Sequence, residues 1–128
     1  PQPKIVLEQP YQVGQPEVDE EEDFDEELTA DVEQGLVRFA ERLGVTSTVE
    51  MLEAAAAYAT CVESRSQFTR PQLMRRLMAS AGGKPVSRED GLRSFGTLLR
   101  TGRIEKVSRG HYVLAEHSPY LAEARRLG

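Results

Sequence analysis

Apolar residues recur along this chain at the three-to-four-residue spacing of amphipathic helices, with short polar breaks between the repeats. This pattern predicts helices over residues 28–43, 48–63, 70–80, 88–101 and 119–127. In the helix over 88–101, the inward side is predicted to hold Leu92, Phe95, Leu98 and Leu99. The hydrophobic pattern therefore indicates a mainly helical fold.

The predicted helix ends carry capping signals of their own. A hydroxyl residue followed three positions later by an acidic or amide residue is typical of a helix N-terminus. Three pairs match this pattern: Ser47 with Glu50, Thr69 with Gln72, and Ser87 with Asp90. Gly44 and Gly102 stand where the first and fourth helices are expected to end, and glycine is common at that position.

The segment after the fourth helix changes from helical spacing to two short extended stretches. Residues 103–107 and 111–115 are predicted to form strands, joined by the loop Ser108-Arg109-Gly110. Gly110 supplies the positive φ that a three-residue hairpin loop needs. The fold class expected from the whole chain is therefore mainly α with a small β-hairpin.

Charge is distributed very unevenly, although the net charge is −5. Residues 1–33 hold twelve acidic residues against one basic residue, whereas residues 64–117 hold eleven basic residues against four acidic ones. Residues 1–27 are also poor in apolar groups, so they are predicted to form a disordered acidic tail. The remainder, residues 28–128, is predicted to be a domain that binds a polyanion.

Composition argues against several functional classes. With one cysteine, Cys61, and two histidines, neither a disulfide nor a zinc site is expected. We find no glycine-rich phosphate loop and no nucleophile paired with a base, so we expect neither an enzyme nor a cofactor. No apolar run is long enough to span a membrane and no signal peptide is evident, so a cytoplasmic location is expected. The chain begins with Pro1, which leaves open whether a Met was removed or a longer protein was cut.

Two short stretches carry a resemblance to a known family. Residues 98–104 read Leu-Leu-Arg-Thr-Gly-Arg-Ile, and residues 110–114 read Gly-His-Tyr-Val-Leu. A leucine pair, a glycine, an Arg-Ile strand start and a final Gly-x-Tyr-x-Leu resemble the winged helix-turn-helix family. The resemblance covers residues 48–115 and implies a winged-helix domain with an extra N-terminal helix and a C-terminal helix. It also implies double-stranded DNA binding, as in a bacterial transcriptional regulator.

The resemblance implies that helix 88–101 reads the major groove and that the wing, residues 103–115, grips the DNA backbone. Arginine can contact guanine with two hydrogen bonds, and serine or threonine can bond to a phosphate or a base. The candidate base-reading residues are Arg88, Arg93, Ser94, Thr97 and Arg100. The candidate backbone-contacting residues are Arg70, Arg75, Arg76, Lys84, Arg103, Lys106 and Arg109.

Three alternatives remain open on the sequence alone. The domain could instead be a winged-helix protein–protein interaction module within a larger assembly. The run Ala54–Ala57 fits either close packing between helices or a homodimer through helices 28–63. The acidic tail is either a solvating linker or a segment that contacts the basic face of its own domain.

Overall fold

The computed structural model describes residues 26–127. The described residues form α1 (Ala30–Leu43), α2 (Thr48–Cys61), α3 (Arg70–Ser80), α4 (Arg88–Arg100), β1 (Ile104–Ser108), β2 (His111–Leu114) and α5 (Pro119–Leu127). The mainly helical class with a small antiparallel sheet is confirmed, and each predicted element ends within two residues of its observed boundary. Most of the predicted acidic tail, residues 1–25, lies outside the described residues.

Side-chain caps explain where the helices begin. The hydroxyl of Ser47 accepts from the N–H of Glu50 at 3.1 Å, and the Glu50 carboxylate accepts in return from the N–H of Ser47. Thr69 and Gln72 form the same reciprocal pair at the start of α3. α1 begins two residues later than predicted because Thr29 caps it, accepting from the N–H of Val32.

α2 lies at the centre of the fold and packs against the other four helices and against β2. Its residues from Leu52 to Ala59 are all buried, so the helix has no exposed face over this length. Small side chains at Ala54–Ala57 let the surrounding helices approach closely. Close packing is therefore what these alanines do, and they are not available to a second copy of the chain. Dimerization through the rest of the α1–α2 surface stays a prediction.

The hairpin has an irregular register. Ile104 pairs with Leu114, and Ser108 pairs with His111, with a shift between Lys106 and Ser108. The connecting loop is therefore the two residues Arg109 and Gly110, not the three predicted. Gly110 has the expected positive φ, 77°.

A further extended residue, Phe68, pairs with the hairpin just before α3 begins. Its N–H donates to the carbonyl of Tyr112 at 2.9 Å, and the N–H of Tyr112 donates back at 2.8 Å. The Tyr112 ring also meets the Phe95 ring of α4 edge-on, with 4.9 Å between centroids. These contacts hold the hairpin against α3 and α4.

One prediction about the inward face of α4 is wrong. Leu98 is buried, but its neighbour Leu99 is 38% exposed. Successive residues of a helix are rotated by about 100°, and at Leu99 this rotation carries the side chain beyond the covered side of α4. The buried line of α4 runs through Gly91, Phe95 and Leu98.

Candidate nucleic-acid interface

The outer face of α4 is a narrow stripe opposite its buried line. Glu89, Arg93, Gly96 and Arg100 follow one another at spacings of four, three and four residues, which places them on one side of the helix. The Arg93 side chain is 66% exposed and pairs with Asp90 at 2.7 Å. Exposed pairs of this kind contribute little energy, so Arg93 can exchange its partner for an anion at small cost.

Threonine and arginine side chains at the C-terminal half of α4 bond to one another. Arg100 donates to the hydroxyl of Thr97 at 3.1 Å, and that hydroxyl donates to the carbonyl of Arg93 at 3.1 Å. Thr97 is half-buried, whereas Arg100 is exposed. The Arg100 guanidinium therefore lies along the helix surface, close to Gly96.

Ser94 was predicted to read bases, and this is wrong. Its side chain faces the core and the residue is 5% exposed. Ser94 comes directly after the outward-facing Arg93, and the helical rotation between successive residues turns its side chain toward the neighbouring helix. Ser94 therefore cannot reach a partner outside the fold.

The hairpin and the turn before α4 add exposed positive charge. Every residue of β1 after Ile104 is exposed, including Lys106, and Arg109 is exposed at the tip of the loop. Lys84 is exposed in the turn between α3 and α4. Over residues 84–111 there are seven basic residues against three acidic ones.

Arg103 is tied to the interior of the fold. It donates to both carboxylate oxygens of Glu53, at 2.8 and 3.0 Å, and Ser118 donates to the same carboxylate at 2.6 Å. Glu53 is buried in the middle of α2. The three residues join α2, the start of β1 and the start of α5, so we assign Arg103 a structural contact. A glutamate directly before the run Ala54–Ala57 is the sequence signal for Glu53, which was not among the predicted site residues.

Arg76 was predicted to remain outside and to grip phosphates, and the structure contradicts this. It is 1% exposed, and all five N–H donors of its guanidinium are bonded. It donates to Glu63 at 2.8 and 2.9 Å, to Glu26 at 3.0 and 3.2 Å, and to the carbonyl of Gln72 at 2.8 Å. Burial alone would lower the pKa of Arg76, but its hydrogen bonds to Glu63 and Glu26 raise it above its ordinary value.

Glu26, which the sequence assigns to the acidic tail, anchors this cluster. Besides Arg76, it accepts from Arg65 at 3.0 Å and from Arg75 at 3.4 Å. Burial would raise the pKa of Glu26, but the hydrogen bonds and charge of Arg76, with Arg65 and Arg75, lower it. Arg75 is 27% exposed and already paired with Glu26. Fewer positive charges of α3 are therefore available to bind a phosphate than its sequence suggested.

The predicted site residues thus divide into two groups. Arg76, Arg103 and Ser94 serve the fold, and the α3 residues Arg70 and Arg75 are half-buried. The exposed basic residues that remain form what we call the α4–hairpin surface: Lys84, Arg88, Arg93, Arg100, Lys106 and Arg109.

Residues 26–127 show no sign of a metal site, a reactive thiol or a membrane-spanning helix. No group of histidine, cysteine and acidic residues there has the arrangement of a metal site. Cys61 is half-buried, and burial raises the pKa of its thiol, which disfavours the reactive thiolate. Within the same range, every helix is too short or too polar to cross a membrane.

Comparison with known proteins adds no relative. The chain matches no protein-family model, and neither a curated protein nor a solved structure is significantly similar to it.

Proposed function

We propose that this chain binds double-stranded DNA, as a bacterial transcriptional regulator, with α4 in the major groove and the hairpin on the backbone. The observation that carries the proposal is the α4–hairpin surface, where basic residues of a helix and of the adjoining hairpin remain exposed, whereas Arg76 is buried and Arg103 is bonded to the buried Glu53. In α4, Arg93 and Arg100 stand on the outer stripe, where a helix in a groove presents its side chains to base edges.

The order of elements supports this proposal. α2, the extended residue Phe68, α3, α4, β1 and β2 follow one another as in a winged helix-turn-helix. In that arrangement the helix before the hairpin enters the groove and the hairpin contacts the flanking backbone. Phe68 and Tyr112 supply the additional strand pairing that fastens the hairpin beside α4.

Salt dependence tests the proposal directly. Fluorescence anisotropy would measure the affinity of the full chain for labelled duplexes of random sequence. If four of the six cations contact phosphates, the affinity falls about 150-fold between about 50 and 200 mM salt, because each contact releases counterions. Absence of binding at the lowest salt would refute DNA binding by this chain.

Single substitutions separate base reading from backbone contact. With a preferred duplex selected from a random pool, Arg93→Ala is expected to weaken binding to that duplex by about 1–3 kcal/mol, with less effect on random DNA. Arg109→Ala is expected to weaken binding to both and to reduce the salt slope by about one.

Arg126→Ala is the matched control for Arg93→Ala. Arg126 lies on α5, is 68% exposed and pairs with Glu123 three residues before it, as Arg93 pairs with Asp90. Because Arg126 lies outside the α4–hairpin surface, its loss should leave the affinity unchanged. An equal effect of the two substitutions would show that total charge, rather than this surface, governs binding.

A second function is supported by a specific observation. Leu99 and Val107 are both exposed large apolar residues, one on α4 and one on β1. Exposed apolar groups next to positive charge also suit a protein partner with an acidic rim. If the full chain fails to bind duplexes at low salt, we propose a protein–protein interaction module within a larger assembly. Leu99→Ser with Val107→Ser should then abolish capture of that partner.

A further inference from the structure

Glycine inside a helix calls for an explanation, because it is the least favourable helix residue after proline. Two of the helix-interior glycines are explained by packing. A Cβ on Gly35 would overlap the hydroxyl of Tyr58, and a Cβ on Gly91 would overlap Met74 and lie 3.1 Å from Leu77. These two positions let α1 approach α2 and let α4 approach α3.

Gly96 has no such explanation. A Cβ built on it would meet, within 4 Å, just the end of the flexible Arg100 side chain, at an ordinary contact distance of 3.6 Å. Its φ does not lie in the left-handed region, so alanine fits its backbone without strain. The fold therefore gains nothing from glycine here and loses helix stability.

The position of Gly96 on α4 suggests a role in contact with another molecule. It lies in the middle of the outer stripe of α4, three residues after Arg93 and four before Arg100. The stripe thus has a cationic side chain on each side of a residue that has no side chain, and the flexible end of Arg100 lies beside it. A bare main chain allows another molecule to come closer than any side chain would permit.

We propose that Gly96 is the point of closest approach between α4 and DNA, and that it accommodates a thymine methyl group. This inference rests on the proposed function. The main-chain N–H and C=O of an interior helix residue are engaged in the helix, so the surface at Gly96 is apolar once the flexible Arg100 side chain turns outward to a base or a phosphate. In the major groove, the apolar group that projects from a base edge is the C5-methyl of thymine.

Gly96→Ala tests the proposal through two opposite effects. The substitution should raise the unfolding midpoint of the full chain by about 5 °C, because alanine is the better helix former. It should also weaken binding to the selected duplex about tenfold, because the added methyl occupies the space of the thymine methyl. Replacing that thymine by uracil, which lacks the methyl, should restore the affinity of the variant.

Ala122→Gly is the matched control, since Ala122 is exposed in the interior of α5. It should lower the unfolding midpoint and leave DNA affinity unchanged. If the wild-type chain binds DNA and Gly96→Ala binds equally well, the inference fails while DNA binding stands. A lower midpoint in Gly96→Ala would also overturn it, because the glycine would then serve the fold. A wild-type chain that binds no duplex would refute both the inference and the proposed function.

Discussion

Replacing Arg76 by alanine removes five hydrogen bonds at once from a nearly inaccessible site. The carboxylates of Glu63 and Glu26 would remain, each mostly screened from water by the surrounding protein. Breaking a buried ion cluster by removing one partner typically costs about 3–5 kcal/mol, because the remaining charge lacks compensation. This is a large share of the total stability of a small domain, which is about 5–15 kcal/mol.

Urea denaturation followed by circular dichroism would measure this loss. The free energy of unfolding should fall by about 3–5 kcal/mol. Its slope against urea concentration should not change if the variant exposes the same surface area on unfolding. In a thermal scan, the Tm should fall by at least about 12 °C for a domain of this size. Any loss of DNA binding should disappear when affinity is measured at a temperature where the variant is fully folded.

Arg75→Ala is the matched control, one residue away on the same helix. Arg75 is 27% exposed and makes a single 3.4 Å bond to the shared residue Glu26, so its removal should cost less than about 1 kcal/mol. Equal losses for the two substitutions would refute the reasoning, because the cost would then not follow burial and hydrogen bonding. A stable Arg76→Ala variant with weakened DNA binding would restore Arg76 as a phosphate contact.

Three further predictions concern the fold. Because the pKa of Glu26 is lowered in the folded state, its ionised carboxylate stabilises the fold at a pH above the ordinary pKa of 4.5, and this contribution is lost as the pH falls below that value. The difference in unfolding free energy between the wild-type chain and Glu26→Gln should therefore shrink in acid. A difference that stays constant with pH would contradict this. Ser118→Ala removes the 2.6 Å bond to the buried Glu53 carboxylate, so urea denaturation should show a loss of about 1.5–3 kcal/mol, and no loss would mean that water replaces the hydroxyl. Gly91→Ala should lower the Tm because the added methyl meets Met74, whereas a raised Tm would show that α4 shifts freely.

Local structure could be predicted from the sequence because its causes are local. The Ser47–Glu50 and Thr69–Gln72 caps, the stop at Gly44 and the positive φ at Gly110 each depend on residues within a few positions of one another. Helix spacing and turn chemistry therefore place every element of residues 26–127 in the right order. The outward arginines of α4 were found for the same reason, since they lie opposite an apolar line on a single helix.

Tertiary structure decided which charges are available to a partner. Arg75 and Arg76 are adjacent and equally polar, yet Arg75 keeps 27% of its side chain exposed whereas Arg76 is enclosed by Glu26 and Glu63. Their partners come from segments 13 to 50 residues away, and no local pattern shows which segments will meet. The same holds for Arg103, whose carboxylate partner lies 50 residues earlier on α2.

Phe68 and Gly91 of α4 also make contacts with distant segments that local sequence patterns do not reveal. A single extended residue between two helices carries no strand pattern, and its pairing with Tyr112 becomes evident only when the hairpin folds back on it. Gly91 and Gly96 are equivalent in sequence, five residues apart on one helix, but Met74 approaches one and not the other. Helical periodicity divides a helix into faces, whereas burial depends on which distant segments cover each face.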